Sequence, residues 1–292
     1  MPSTYAHERF GCDVLKQLPE REKKAAEQAP GLFHLGLQGP DLFFYFHPLH
    51  PGTVTRIGNE VHRRPGLDFV RHAAQTAAEK DWAVPYLSYA YGSICHFALD
   101  RACHYDVFDW TRTHGVPHAV IEGELDRVLL KEDGKDPVRA DLVENLHPEE
   151  RDAEVIAAFY SGMQLGEGGE DGFTTAQMQA AIRSFIRFNH ILTAPGRPKR
   201  WVIFTALKAA GKYDELRGHV IRYEADPACE EVLPVLRRHY EAAVPEAVRL
   251  ICDFRDSAEG RLPWDALYNM NYESDYRRRW QEAGIDPAGK QG

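Results

Sequence analysis

Along most of this chain the apolar residues recur every three or four positions, the period of an α-helix, and nowhere alternate over a strand-length run. Glu8 to Leu18 places Phe10, Val14, Leu15 and Leu18 on one side and stops at Pro19. A polar helix follows from about Glu20 to Gln28, ending before Pro30. Gly36 to Gly52, with Gly39-Pro40, Pro48 and His50-Pro51-Gly52, reads as a loop carrying an aromatic insert, Phe43 to Phe46. Val54 to Lys80 is predicted helical with a break at Pro65. Trp82 to about Asp106 is the most apolar segment, and Pro117 to Leu130 is the next helix, with Pro117 in its first turn. After the charged loop from Lys131 to Pro137, amphipathic helices are predicted over Glu149–Met163, Thr174–Leu192, Pro198–Ala210 and Cys229–Phe254. An acidic, flexible loop is expected at Gly166–Gly172. No internal repeat, heptad run or low-complexity tract appears. The expectation is an all-α, single helical domain over residues 1–292. Its metal-site half covers about 1–131, its helical scaffold about 138–282 and a frayed tail 283–292.

Composition narrows the class. With 292 residues, 43% hydrophobic and 27% charged, the chain can bury a sizeable core and reads as an ordinary globular protein. No run approaches the roughly 18 consecutive apolar residues of a membrane span. Met1 to Lys16 lacks a basic patch followed by an apolar run, so no secretory signal is expected. Cys12, Cys95, Cys103, Cys229 and Cys252 are odd in number and scattered, which suits reduced thiols in the cytoplasm. The net charge of −9 argues against nucleic acid as the main partner.

The 14 histidines make spacing the next question. Trp82 to Asp106 is apolar on all sides, the mark of a buried helix. On it, His96, Asp100 and His104 fall at i, i+4 and i+8, along one face. A carboxylate buried between two imidazoles needs a cation or a hydrogen-bonded partner. A His–Asp–His ladder without metal would satisfy it as well. The following helix repeats the pattern with His118 and Glu122, so His104, His118 and Glu122 would make a compact three-ligand site if the helices face each other. Zinc accepts such N and O donors at about 2.0–2.2 Å. His7, Asp41 in Gly39-Pro40-Asp41, and His62 are further candidates. Each alone is also a common surface or turn residue.

Taken in order, His7, Asp41, His62, His96-x-x-x-Asp100, His104 and His118-x-x-x-Glu122 resemble the zinc-dependent phospholipase C family. That family is related to the S1/P1 nucleases and to the amino-terminal domain of glycosylphosphatidylinositol phospholipase D. The resemblance covers roughly the first 130 residues. Its most specific parts are Ser3-Thr4-Tyr5-Ala6-His7, Gly39-Pro40-Asp41, His96-Phe-Ala-Leu-Asp100 with His104, and His118-x-x-x-Glu122. It implies a multi-helix phospholipase C/P1 nuclease-like fold and up to three zinc ions. Asp41, His62, His96 and Asp100 would hold one. His7 and the amino terminus would hold a second, with Asp100 as the bridge, and His104, His118 and Glu122 a third. Secreted relatives expose a ligating tryptophan at the processed terminus. This chain has none there, and Pro2, exposed by loss of Met1, would substitute.

The resemblance also implies hydrolysis of a phospholipid or related phosphoester by a hydroxide shared between two zincs, in line at phosphorus. Asp41 and Asp100 are the catalytic candidates, Asp41 as ligand and as acceptor for the attacking water. Nuclease-type phosphodiesterase chemistry and a non-catalytic metal-binding role are the alternatives. Phe43 to Phe46 would line a headgroup pocket or pack the core. Arg277-Arg278-Arg279 would meet phosphate or form a solvated face. His47 and His50 are second-rank substitutes for His62, His72 is a leftover candidate, and His114 and His190 are expected to be surface or core residues. Cys95 and Cys103 adjoin the ligands but point about 100° away around the helix, as small buried residues would.

Overall fold

A computed structural model describes residues 4–46, 52–163, 165 and 174–285. Among these the architecture is all-α, with no strand and one isolated antiparallel bridge between Pro65 and Asn271. The helices are α1 (Thr4–Leu15), α2 (Glu20–Gln28), α3 (Pro30–Gln38), α4 (Thr53–Arg63), α5 (Gly66–Glu79), α6 (Val84–His114), α7 (His118–Glu132), α8 (Asp152–Tyr160), α9 (Thr175–Leu192), α10 (Arg197–Ala209), α11 (Tyr213–Leu216), α12 (Val232–Ala258) and α13 (Tyr276–Glu282). Short 3₁₀ turns fall between them, the first at Gly39–Phe43.

The axis of the molecule is α6. At 31 residues it runs for about 46 Å. It is buried without interruption from Ser88 to Asp100, as a helix apolar on all sides must be. Around it pack α1, α2, α3, α5 and α12. It extends eight residues beyond the predicted end, to His114, where Gly115 in the left-handed region closes it. Pro65 separates α4 from α5 as the sequence predicts, and Thr174 caps α9 through a capping box with Gln177. Pro117 sits just before α7 as its N-cap residue, not inside its first turn.

The segment from Gly36 departs from expectation. Residues 36–38 are not loop but the last turn of α3, a helix the glycines obscured. Those glycines mark a close approach. A Cβ on Gly92 of α6 would lie 2.2 Å from the Phe33 carbonyl oxygen, and one on Gly36 would lie 2.5 Å from that of Tyr89. Backbone thus meets backbone between α3 and α6. The chain then turns sharply at Gly39, whose φ of 49° and ψ of −137° suit glycine alone. A Cβ there would stand 2.8 Å from the His96 ring, so the turn folds directly over that histidine. Of the aromatic insert, Phe43 and Tyr45 are core residues, while Phe44 and Phe46 are half-buried.

Gly92→Ala is therefore expected to lower stability by about 1–3 kcal/mol or more, since neither backbone can yield. Gly196→Ala, where an added Cβ meets only an ordinary contact with Pro198 at 3.8 Å, serves as the control. Thermal unfolding measures both, and a Gly92→Ala midpoint equal to the control would contradict the close approach.

Candidate metal centre

Helical period alone brings His96, Asp100 and His104 into line on α6, and His118 and Glu122 into line on α7. The turn at Gly39 lowers Asp41 toward them, α4 supplies His62 and α1 supplies His7. All eight side chains gather in one place, and only His118 is more than marginally exposed.

Asp100 is the centre of the cluster. Its Oδ1 lies 3.1 Å from His7 Nε2 and 3.7 Å from His104 Nε2. Its Oδ2 lies 3.1 Å from His96 Nε2 and 3.6 Å from His62 Nε2. Asp41 stands opposite, with Oδ1 3.2 Å from His62 Nε2 and Oδ2 3.8 Å from His96 Nε2. One ligand atom each from His7, Asp41, His96 and Asp100 falls within a 4.8 Å span. A second group meets the same limit: Glu122 Oε1 lies 3.3 Å from His104 Nε2 and 3.0 Å from His118 Nε2.

Three backbone carbonyls orient the imidazoles. The Nδ1 atoms of His62, His96 and His104 donate to the carbonyls of Gly58, Leu37 and Tyr272, at 2.7, 3.0 and 2.7 Å. A carbonyl can only accept, so Nδ1 carries a proton, and Nε2, facing the cluster, is the nitrogen left to ligate a cation that displaces its proton. Despite the short distances, Asp41 Oδ1, Asp100 Oδ2, Glu122 Oε2 and the Nε2 atoms of His62, His96 and His118 make no hydrogen bond of acceptable geometry. Buried polar atoms are rarely left so. Donors that converge on a common point without bonding one another are the arrangement that a cation completes, and this mixed N and O donor set suits zinc.

The electrostatics agree. Burial raises the carboxyl pKa values, but neighbouring imidazoles outweigh it. Asp100 is held well below its usual range by His104, His96 and His7, and Asp41 and Glu122 are also lowered. Burial opposes protonation of His62, yet Asp100 and Asp41 push it up to about 10. For His104 the same balance, against Asp100 and Glu122, also ends above the usual value. Burial lowers His7, helped by the His96 ring stacked 4.2 Å away, and it lowers His118. Three buried carboxylates thus stay ionised and demand positive charge.

The second half of the chain also reaches the site. Besides the Tyr272 carbonyl, Ser274 donates to the Arg101 carbonyl at 2.6 Å on the next turn of α6. A cleft of about 550 Å³ opens over the second group, with His62, His104 and His118 in its wall. Phe44, Phe108 and Leu216 supply apolar surface, and Lys212, Asp214, Glu215 and Glu273 are the charged residues along it, with Lys212 paired to Glu215 at 2.7 Å.

Other candidates lie elsewhere. Pro2, His47 and His50 fall outside the described residues. His72 on α5 sits against Gly162, His114 stacks on Trp110 and His190 pairs with Asp141 on the surface. Cys95 and Cys103 are buried thiols that burial raises well above the usual value. Arg277 and Arg278 pair with Glu273 and Asp275, and Arg279 covers the Tyr105 ring, so this run is a solvated face.

Asp126 was not foreseen, although it continues the α7 stripe one turn beyond Glu122. Its carboxylate accepts from the Tyr5 and Ala6 amides at 3.2 and 2.8 Å, the free donors at the start of α1. It thereby ties the helix that carries His7 to the helix that carries Glu122. Asp126→Ala is expected to cost about 1–3 kcal/mol of stability through lost charge-assisted bonds. Unchanged denaturant unfolding would contradict that role.

Comparison with known families matches a model described as zinc dependent phospholipase C over residues 6–165, more than half of the chain. Curated proteins and solved structures gave no match.

Proposed function

From the chain's place in the zinc-dependent phospholipase C family, to which it belongs, we propose that it is a metal-dependent phosphodiesterase acting on a phospholipid or related phosphoester. The observation that carries the reading is the double role of Asp100, whose two oxygens face different imidazoles in a buried cluster. One metal would be held by Asp41, His62, His96 and Asp100. Another would be held by His7 and Asp100. A third would be held by His104, His118 and Glu122. Bound zinc supplies Lewis acidity toward phosphate oxygens and brings the pKa of a water to about 7.

The chain's own residues do the rest. The carbonyls of Gly58, Leu37 and Tyr272 hold their imidazoles in the ligating tautomer. Phe44 and Phe108 shelter one side of the cleft from bulk water, where charge–charge interactions strengthen. Asp41 orients the attacking water besides serving as ligand. The ligand role is the larger, because its depressed pKa makes it a poor base. The net charge of −9 argues against a polyanion such as nucleic acid and favours a single phosphoester as substrate.

Elemental analysis with a turnover panel of phosphocholine, inositol-phosphate and oligonucleotide esters tests this reading. Asp100→Asn is expected to shed metal and to lower turnover about 100-fold or more. His118→Ala should lose the metal of the second group and keep that around Asp41. A folded Asp100→Asn protein with full metal load and turnover would refute the bridging role. Bound metal with no turnover on any ester would favour a structural cluster.

A further inference from the structure

Beyond the cluster, α10 has a surface that the fold leaves unused. Its inward side carries Arg200, Ile203 and Phe204, half-buried, and Leu207, buried. Its outward side is a second uncharged stripe: Pro198, Trp201, Val202, Thr205 and Ala206, at i, i+3, i+4, i+7 and i+8, all exposed. Trp201 is 70% exposed and Val202 57%, more than any other large hydrophobic residue described. Leaving a tryptophan in water forfeits one of the largest apolar contributions a side chain can make.

The stripe is flanked by cations. Within α10, Arg197, Lys199, Arg200 and Lys208 are basic and no residue is acidic, in a chain of net charge −9. Among the described residues none of the four makes a salt bridge. Lys199 donates to the carbonyls of His190 and Thr193, and Arg200 to those of Ala194 and Ile221. Lys208 lies 4.9 Å from the Tyr213 ring. Carbonyls and rings leave the positive charge uncancelled. An apolar ribbon with Trp, bordered by Lys and Arg, has the chemistry of a helix lying flat in a lipid interface. The helix that carries the stripe is a neighbour of the cleft through its inward face. α10 packs on α11, and the segment Lys212, Asp214, Glu215 and Leu216 lines that cleft.

We propose that α10 is a peripheral docking element that seats the protein on an anionic phospholipid surface, with Trp201 and Val202 inserted among the headgroups and Arg197, Lys199 and Lys208 against lipid phosphates. The proposal rests on the phosphodiesterase reading for its purpose, since a cleft that takes lipid has to be brought to the bilayer. No helix among the described residues is long and apolar enough to cross a membrane, so the attachment is to one face.

The test uses the full-length, zinc-loaded protein and unilamellar vesicles of phosphatidylcholine, with or without phosphatidylserine. Co-sedimentation gives binding, and turnover is followed on vesicle lipid and on a water-soluble phosphoester. The wild-type protein should bind serine-containing vesicles more tightly than neutral ones, and salt should weaken the difference. The pair Trp201→Ala with Val202→Ser should lose about tenfold or more in vesicle binding and in vesicle turnover, with soluble turnover unchanged. Arg197→Glu with Lys208→Glu should abolish the preference for phosphatidylserine. Equal binding by the wild-type protein and both paired variants would overturn the proposal, as would wild-type protein that ignores vesicles and instead associates with itself through this stripe. Binding that depends on Trp201 without turnover of any ester would uphold the docking and sink the phosphodiesterase reading. Ester turnover with no vesicle binding would do the reverse.

Discussion

Asp100 sits in the middle of α6 as a buried carboxylate, and burial of an ionised carboxylate is tolerated only when positive charge surrounds it. The fold answers that demand from several directions. α1 brings His7, the turn after α3 brings Asp41, α4 brings His62, and α7 faces Glu122 and His118 toward His104. Asp41 and Glu122 add two more negative charges, so the imidazoles alone form a poor balance. They are neutral ligands when they coordinate, and their lone pairs are aimed at the same points as the carboxylates. This one electrostatic requirement accounts for why five elements, distant in sequence, end on a common point.

Holding that point rigid is the task of backbone more than of side chains. The glycine contact between α3 and α6 sets the Leu37 carbonyl over His96, and the glycine turn that follows sets Asp41 beside it. The Tyr272 carbonyl does the same for His104 from the far end of the chain, and Asp126 locks α1 onto α7. Each of these supports acts on the orientation of a candidate ligand. That matters because coordination tolerates little angular error, and loosened outer contacts cost affinity even when every ligand remains. The second half of the chain is thus part of the centre, through Tyr272 and through the α11 segment that walls the cleft.

The cleft and α10 give the molecule a direction. The cluster opens toward Phe44 and Phe108, charged residues of both signs line the same cleft, and α10 packs on the α11 segment that walls it. The overall charge is negative, yet α10 carries cations that no described carboxylate neutralises. Such local segregation, not the net charge, decides what kind of surface the protein can approach.

Helical period makes part of this legible in the amino-acid order alone. His96, Asp100 and His104 must share a face once their segment is helical, and so must His118 and Glu122, because 3.6 residues per turn leaves no other choice. The all-helical class and the buried nature of α6 follow from the same periodicity. His7, Asp41 and His62 are different. Their convergence depends on how α1, α3 and α4 pack, and only the resemblance to a family pointed to them. The supporting carbonyls have no sequence signature, since every residue has one. Gly36, Gly39 and Gly92 read as loop or neutral positions, yet tertiary packing puts them in close contact near the centre. On α10, Trp201 and Phe204 look alike as apolar residues of an amphipathic helix. Burial of Phe204 and exposure of Trp201 were decided by which side met α11, and hydrophobic pattern cannot tell one apolar face from another until a neighbour covers it.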